Sequence, residues 1–131
     1  MIEEIKKTLK QVEIANDITI LYACESGSRA WGFASPDSDY DVRFIYVRPL
    51  KNYLSIRDRR DIIEVPVNEI LDISGWDIRK ALQLFLKSNA PLYEWLQSPV
   101  IYKNDSSFLL ELSSIMPEYF SLRAGCITAF S

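Results

Sequence analysis

The 131 residues, 48% hydrophobic and 12% aromatic, are enough for one buried core, which excludes a disordered chain and a large multidomain machine. The formal net charge of −3 excludes a uniformly basic surface. The absence of histidine excludes imidazole bases, histidine metal ligands and Ser–His or Cys–His nucleophiles. Cys24 and Cys126 form no zinc or redox motif, so we expect buried thiols. No secretory or membrane-spanning pattern is present, and we expect a soluble, cytoplasmic protein without membrane contact.

The first part of the chain predicts one helix and two strands. Residues 2–15 carry an apolar stripe at spacings of three and four residues, which predicts a helix ending near residues 16–17. The stripe consists of Ile2, Ile5, Leu9 and Val12. The β-branched run 18–24 predicts a buried strand, and the alternation over 40–47 predicts a second strand. The segment between them is rich in Gly, Ser and Asp and predicts turns.

The next part predicts two strands followed by helices. Residues 61–67 predict a third strand, which Pro66 assigns to a sheet edge, and residues 70–73 predict a fourth. Helical spacing over 77–88 predicts a helix with Asp77 as N-cap. A short helix over 92–96 and another beginning at Asp105 are also predicted, and the aromatic residues of this region are expected in the core. These aromatic residues are Trp76, Phe85, Tyr93 and Trp95.

This order of elements predicts an α+β fold, a mixed sheet with helices packed on one face. We expect one domain over residues 1–103 and a helical extension over residues 104–131.

Two carboxylates precede and begin the second strand. Asp39 and Asp41 are two residues apart, so in an extended chain they point to the same side and can reach one cation. Their like charges repel each other unless a metal ion or an arginine neutralises them. Carboxylate oxygens favour Mg²⁺ or Mn²⁺, and a Mg²⁺ ion so held usually takes its other ligands from water and substrate phosphate. Alone, such a pair more often belongs to an ordinary turn.

A glycine and a serine follow the first strand. Gly27 allows close approach of a ligand, and Ser28 supplies a hydroxyl where backbone N–H groups can face a phosphate. Ten residues separate Ser28 from Asp39. A phosphate cradle beside a metal-binding pair of carboxylates is the arrangement that nucleotidyl transfer needs.

The stretch from Gly27 to Val47, with Gly-Ser-Arg-Ala-Trp-Gly-Phe and Ser-Asp-Tyr-Asp-Val-Arg-Phe, resembles the polymerase-β-type nucleotidyltransferase superfamily. With Gly75-Trp-Asp-Ile-Arg-Lys and Glu94-Trp-Leu-Gln-Ser-Pro it resembles the bacterial predicted nucleotidyltransferases associated with RNA repair. The resemblance implies a third metal-binding carboxylate between two apolar residues on a neighbouring strand. Three residues meet this pattern, of which Asp72 is favoured: Asp72, Asp77 and Glu64.

The resemblance implies that a nucleoside monophosphate passes from a nucleoside triphosphate to an acceptor hydroxyl, on RNA or protein. Asp39, Asp41 and Asp72 would be the catalytic metal ligands, and the triphosphate would contact a second set of residues. That set is Gly27, Ser28, Arg29 and Lys80. The alternative hypothesis is a nucleotide- or RNA-binding protein, an antitoxin-like regulator that keeps the transferase fold.

Relatives of this kind are nearly twice as long, with a mostly helical second half, which favours a homodimer if apolar surface is left exposed. A basic segment over residues 43–60 holds six basic residues against one acid, Asp58, and we expect it to contact phosphate backbone. Its basic residues are Arg43, Arg48, Lys51, Arg57, Arg59 and Arg60.

Overall fold

The computed structural model describes residues 1–27, 30, 39–57, 60–68 and 70–104. Five strands in this part of the chain form one sheet in the order β3-β4-β2-β1-β5. The pair β2–β4 is parallel and the other three pairs are antiparallel. The strands are β1 (Thr19–Glu25), β2 (Tyr40–Val47), β3 (Ile62–Asn68), β4 (Leu71–Asp77) and β5 (Ile101–Asn104). The predicted α+β fold with a mixed sheet is confirmed.

Helices cover both faces of the sheet, whereas the sequence predicted helices on one face. They are α1 (Ile2–Asn16), α2 (Leu50–Tyr53), α3 (Ile78–Leu86) and α4 (Ala90–Leu96). The apolar stripe of α1 buries Ile5, Leu9 and Val12 against one face, while Ile2 is exposed. The helices α3 and α4 pack on the other face. The reason is that alternate residues of the central strands are apolar on both sides, so each side of the sheet needs a cover.

One apolar cluster lies on each face of the sheet. Phe44 and Tyr46 of β2 belong to the α1 cluster, and Ile45 between them belongs to the cluster under α3 and α4. In that second cluster the rings of Trp76 and Trp95 stack with centroids 4.0 Å apart, and those of Phe85 and Tyr93 lie 5.4 Å apart. These four aromatic residues are therefore core, as predicted.

The helix boundaries follow from local capping. The helix α1 ends at Asp17, whose φ of 52° is left-handed and whose N–H donates to the Glu13 carbonyl. The Asp77 carboxylate accepts from the Arg79 N–H and begins α3, as the sequence predicted. Asn89 caps α4 in the same way through the Leu92 N–H.

The bounds of β2 are predicted to the residue, and β3 is an edge strand as Pro66 indicated. The short elements α2 and β5 were not predicted, and β4 continues beyond the predicted Ile73 to Asp77. The predicted helical extension, the helix from Asp105 and Cys126 lie outside the described residues. None of the helices in the described ranges is long and apolar enough to cross a membrane.

Candidate functional site

Asp41 and Asp72 face each other at the amino-terminal ends of two parallel strands. The register of β2 and β4 pairs Asp41 with Asp72, and their neighbours Val42 and Ile73 are buried under α1. Because side chains alternate along a strand, both carboxylates project from the opposite face. Neighbouring strands lie about 4.8 Å apart, so the two carboxylates stand side by side. We call them the carboxylate pair.

Asp39 lies exposed, directly before β2. Within the described ranges, no group of three or more His, Cys, Asp or Glu side chains is close enough to hold a metal ion. The structure therefore brings Asp41 and Asp72 together in register and does not gather Asp39 into one cluster with them.

Arg43 neutralises part of the carboxylate pair. Its Nη2 lies 3.0 Å from Oδ2 of Asp72, and Nη1 lies 3.4 Å from the Asp72 carbonyl oxygen. The Asp72 side chain is still 60% exposed, so solvent and ligands can reach it. An arginine two residues after Asp41 thus supplies the positive charge that two adjacent carboxylates require.

Gly27 lies against the Asp41 carboxylate. A Cβ atom at Gly27 would be 2.3 Å from Oδ2 of Asp41, closer than real side chains approach. The Ala30 N–H donates to the Gly27 carbonyl at 3.0 Å. Glycine at position 27 is therefore a condition for the position of the Asp41 side chain.

Glu25 is a functional candidate that the sequence did not indicate. Its side chain is completely buried at the end of β1. One carboxylate oxygen accepts from the N–H groups of Asp41, at 2.8 Å, and Gly27, at 3.2 Å, and the other accepts from the Tyr102 hydroxyl at 2.9 Å. Glu25 therefore joins the backbone of the glycine turn to the start of β2.

Burial raises the pKa of the Glu25 carboxyl, and the nearby Asp41 charge raises it further, while the three donors oppose the shift. Burial also raises the pKa of the Cys24 thiol to about 12. Cys24 is therefore the neutral buried thiol that the sequence predicted.

The two other candidates for the third carboxylate lie elsewhere. Asp77 is at the far end of β4, where it caps α3 and accepts from the Tyr53 hydroxyl at 2.9 Å. Asp77 lies five positions along the strand from Asp72, a distance of about 16 Å. Glu64 is exposed on β3 and is paired with Ser74, beyond the carboxylate pair.

The residues predicted to contact triphosphate divide into three groups. Gly27 lies beside the carboxylate pair. Ser28 and Arg29 lie outside the described residues. Lys80 is on α3, and its Nζ lies 4.0 Å from Oδ2 of Asp61, at the same far end of β4 as Asp77. The structure does not bring Lys80 to the carboxylate pair.

The carboxylate pair fits a magnesium or manganese ion chemically. Both side chains are hard oxygen donors, they are in register, and Asp72 is open to solvent. Magnesium is commonly held by one or two carboxylates, with water and substrate phosphate completing its shell. Asp41 and Asp72 would hold such an ion, which would neutralise phosphate charge and orient the reacting oxygens.

Comparisons with known proteins identify the family of the chain. YcgL of Bacillus subtilis (strain 168), an uncharacterized protein, is 50% identical over 125 residues. These residues are 95% of this chain and 48% of YcgL, so the chain spans about half the length of that relative. No solved structure matches the chain. A profile of the RNA repair pathway DNA polymerase beta family matches residues 1–130. The chain therefore belongs to the RNA repair pathway DNA polymerase beta family.

Proposed function

We propose that this chain carries the catalytic half of a metal-dependent nucleotidyltransferase, which moves a nucleoside monophosphate from a nucleoside triphosphate to an acceptor hydroxyl. One observation carries the proposal: the parallel register sets Asp41 beside Asp72, next to a glycine at which a side chain would collide with the Asp41 carboxylate. Membership of a polymerase-β-type family supports the same chemistry.

Each residue near the carboxylate pair has a role in this proposal. Asp41 and Asp72 would bind Mg²⁺ or Mn²⁺, with Asp39 as a further ligand once substrate is present. Arg43 holds Asp72 through its guanidinium group and balances the charge of the pair before a cation arrives. Glu25 fixes the N–H groups of Gly27 and Asp41 and so positions the turn against β2.

The substrates follow from the family and the chemistry. Phosphates of the triphosphate would lie at the turn of Gly27 and Ser28, where small residues permit close approach of backbone N–H groups. Transfer of this kind depends on positioning and charge neutralisation rather than on a covalent enzyme intermediate. The family description favours RNA as the acceptor, and a protein hydroxyl is the second candidate.

The test is transfer of radiolabelled nucleotide. The chain is incubated with α-³²P-labelled triphosphates, Mg²⁺ or Mn²⁺ and an oligoribonucleotide with a free 3′ hydroxyl, and the products are separated by electrophoresis. Thermal unfolding with and without metal and triphosphate measures binding independently of turnover. We expect Asp41→Asn and Asp72→Asn to remove both transfer and metal-dependent stabilisation, since each removes a ligand oxygen charge.

Glu94→Gln is the matched control, because Glu94 is exposed on α4 and its substitution removes one negative charge, as the aspartate substitutions do. Glu64→Gln tests whether Glu64 of β3, a candidate for the third metal-binding carboxylate, contributes to transfer. If the parent chain shows neither metal-dependent binding nor transfer, the proposal is refuted. Metal-dependent binding without transfer to any acceptor would favour the alternative, a nucleotide-binding regulator.

A further inference from the structure

A basic cavity of about 240 Å³ lies at the opposite end of the central strands from the carboxylate pair. It is bordered by the segment after α2 and by the first turns of α3. The five cationic side chains that line it are Arg48, Arg57, Arg60, Arg79 and Lys80. They come from two separate segments. The basic segment over residues 43–60 supplies three of them, and α3 supplies Arg79 and Lys80.

The positive charge of this cavity is only partly compensated. Two carboxylates line it, and these are Asp61, which is 4.0 Å from Lys80, and Asp77, which is 3.9 Å from Arg48. Among the described lining residues, five cations against two carboxylates leave a formal excess of three positive charges. Within the described ranges, no carboxylate forms an ion pair with Arg57, Arg60 or Arg79.

The wall of the cavity is held in place by hydrogen bonds. The Tyr53 hydroxyl accepts from the Arg48 backbone N–H at 2.8 Å and donates to Asp77 at 2.9 Å. The Asp77 carboxylate thus accepts hydrogen bonds from the Tyr53 hydroxyl and, as the N-cap of α3, from the Arg79 N–H. The buried Nε of Arg48 has no hydrogen-bond partner among the described residues. Oδ2 of Asp77 lies 3.9 Å from this Nε, too far for a hydrogen bond.

We propose that this cavity binds a terminal phosphate monoester, carried by a free nucleotide or by the 5′ end of an RNA strand. A terminal phosphate carries nearly two negative charges and neutralises more of this excess than a backbone phosphodiester, which carries one. Guanidinium groups match phosphate oxygens in pairs. The cavity, of about 240 Å³, is smaller than typical pockets for drug-sized ligands, which favours a small anionic group.

The site is separate from the carboxylate pair and does not depend on the function proposed for it. The two ends of β4 are about 16 Å apart, so one phosphate group cannot occupy both places. Lys80 accordingly contributes to the basic cavity and not to the triphosphate site.

The experiment measures binding of four probes by titration calorimetry and fluorescence anisotropy. The probes are inorganic phosphate, adenosine 5′-monophosphate, a short oligoribonucleotide with a 5′ phosphate, and the same strand with a 5′ hydroxyl. We expect the first three to bind, and the 5′-hydroxyl strand to bind at least about tenfold more weakly, because one charge-assisted contact is worth about that factor. Tighter binding of AMP would identify a free nucleotide as the ligand, and tighter binding of the phosphorylated strand would identify an RNA end.

The variants separate this site from general electrostatics. The pair Arg57→Gln and Arg79→Gln should weaken binding of the phosphorylated probes at least about tenfold, and circular dichroism should be unchanged because both side chains are exposed. The matched control, Lys6→Gln with Lys10→Gln on α1, makes the same change of net charge. Asp41→Asn should bind these probes as the parent does. Equal binding of both strands, equal losses in the two double variants, or loss of binding in Asp41→Asn would overturn the proposal.

Discussion

Replacing Gly27 by alanine tests whether this glycine positions the Asp41 carboxylate. The new Cβ would lie 2.3 Å from Oδ2 and 3.1 Å from Cγ of Asp41, so the carboxylate has to move by about 1 Å. The φ of Gly27 lies outside the left-handed region, so alanine meets no backbone strain and the contact alone determines the effect. We expect a loss of about 1 kcal/mol in the free energy of unfolding, because the end of a partly exposed side chain can give way. Transfer should fall about a hundredfold, since a shift of about 1 Å misplaces a ligand.

A double-mutant cycle isolates this contact. Urea unfolding is measured for the parent, Gly27→Ala, Asp41→Ala and the double variant. In Asp41→Ala the carboxylate is absent and only its Cβ, 3.2 Å away, remains near the new methyl group. The Gly27→Ala substitution should then cost little, giving a coupling energy of about 1 kcal/mol.

Gly75→Ala is the matched control. Its Cβ would lie 2.2 Å from Cε2 of the buried Phe44 ring, which cannot move aside. Its larger cost should be the same with and without Asp41. Strictly additive effects of Gly27→Ala and Asp41→Ala would refute the positioning role of Gly27.

Two further predictions concern buried carboxylates. Because the folded pKa of Glu25 is raised above its usual value of 4.5, the unfolded chain loses this proton first as pH rises. The parent therefore loses stability from about pH 4.5 up to the raised pKa, and Glu25→Gln lacks this loss, so its stability relative to the parent should increase over that range in urea unfolding between pH 4 and 8. A difference that does not vary with pH would contradict the burial argument. Asp77→Ala should cost about 2 kcal/mol in thermal unfolding, from the lost cap and the lost Tyr53 hydrogen bond, whereas Asp77→Asn keeps an oxygen for the cap but loses the second oxygen, which accepts from Tyr53, and should cost about 1 kcal/mol. Equal costs would show that the cap contributes little.

The sequence predicted the central elements because their patterns are local. The alternation of β2 and the stripe of α1 need only the spacing of apolar residues, and the Asp77 cap needs only its position before a helical pattern. Asp72 was one of three carboxylates that met the pattern implied by the resemblance and was favoured among them, and the parallel register sets it beside Asp41.

The features that were missed depend on contacts between distant residues. The prediction ended β4 at Ile73, whereas the strand continues through Gly75, where the Phe44 ring of β2 fills the space that a side chain would need. Glu25 looked like an ordinary acid after an apolar run, and only the fold brings Gly27, Asp41 and Tyr102 to it. The four residues of β5 are too few for a periodic signal.

The position of the carboxylate pair within the sheet sets how it responds to thermal fluctuation. The strands β2 and β4 are inner strands, bordered by β1 and β3 in the described sheet. Edge strands open by local fluctuation, whereas inner strands exchange their amide hydrogens only in larger openings. The backbone beneath Asp41 and Asp72 should therefore belong to the slowest-exchanging amides of the chain. Adjustment of these carboxylates to a ligand is then confined to side-chain rotation on a rigid frame.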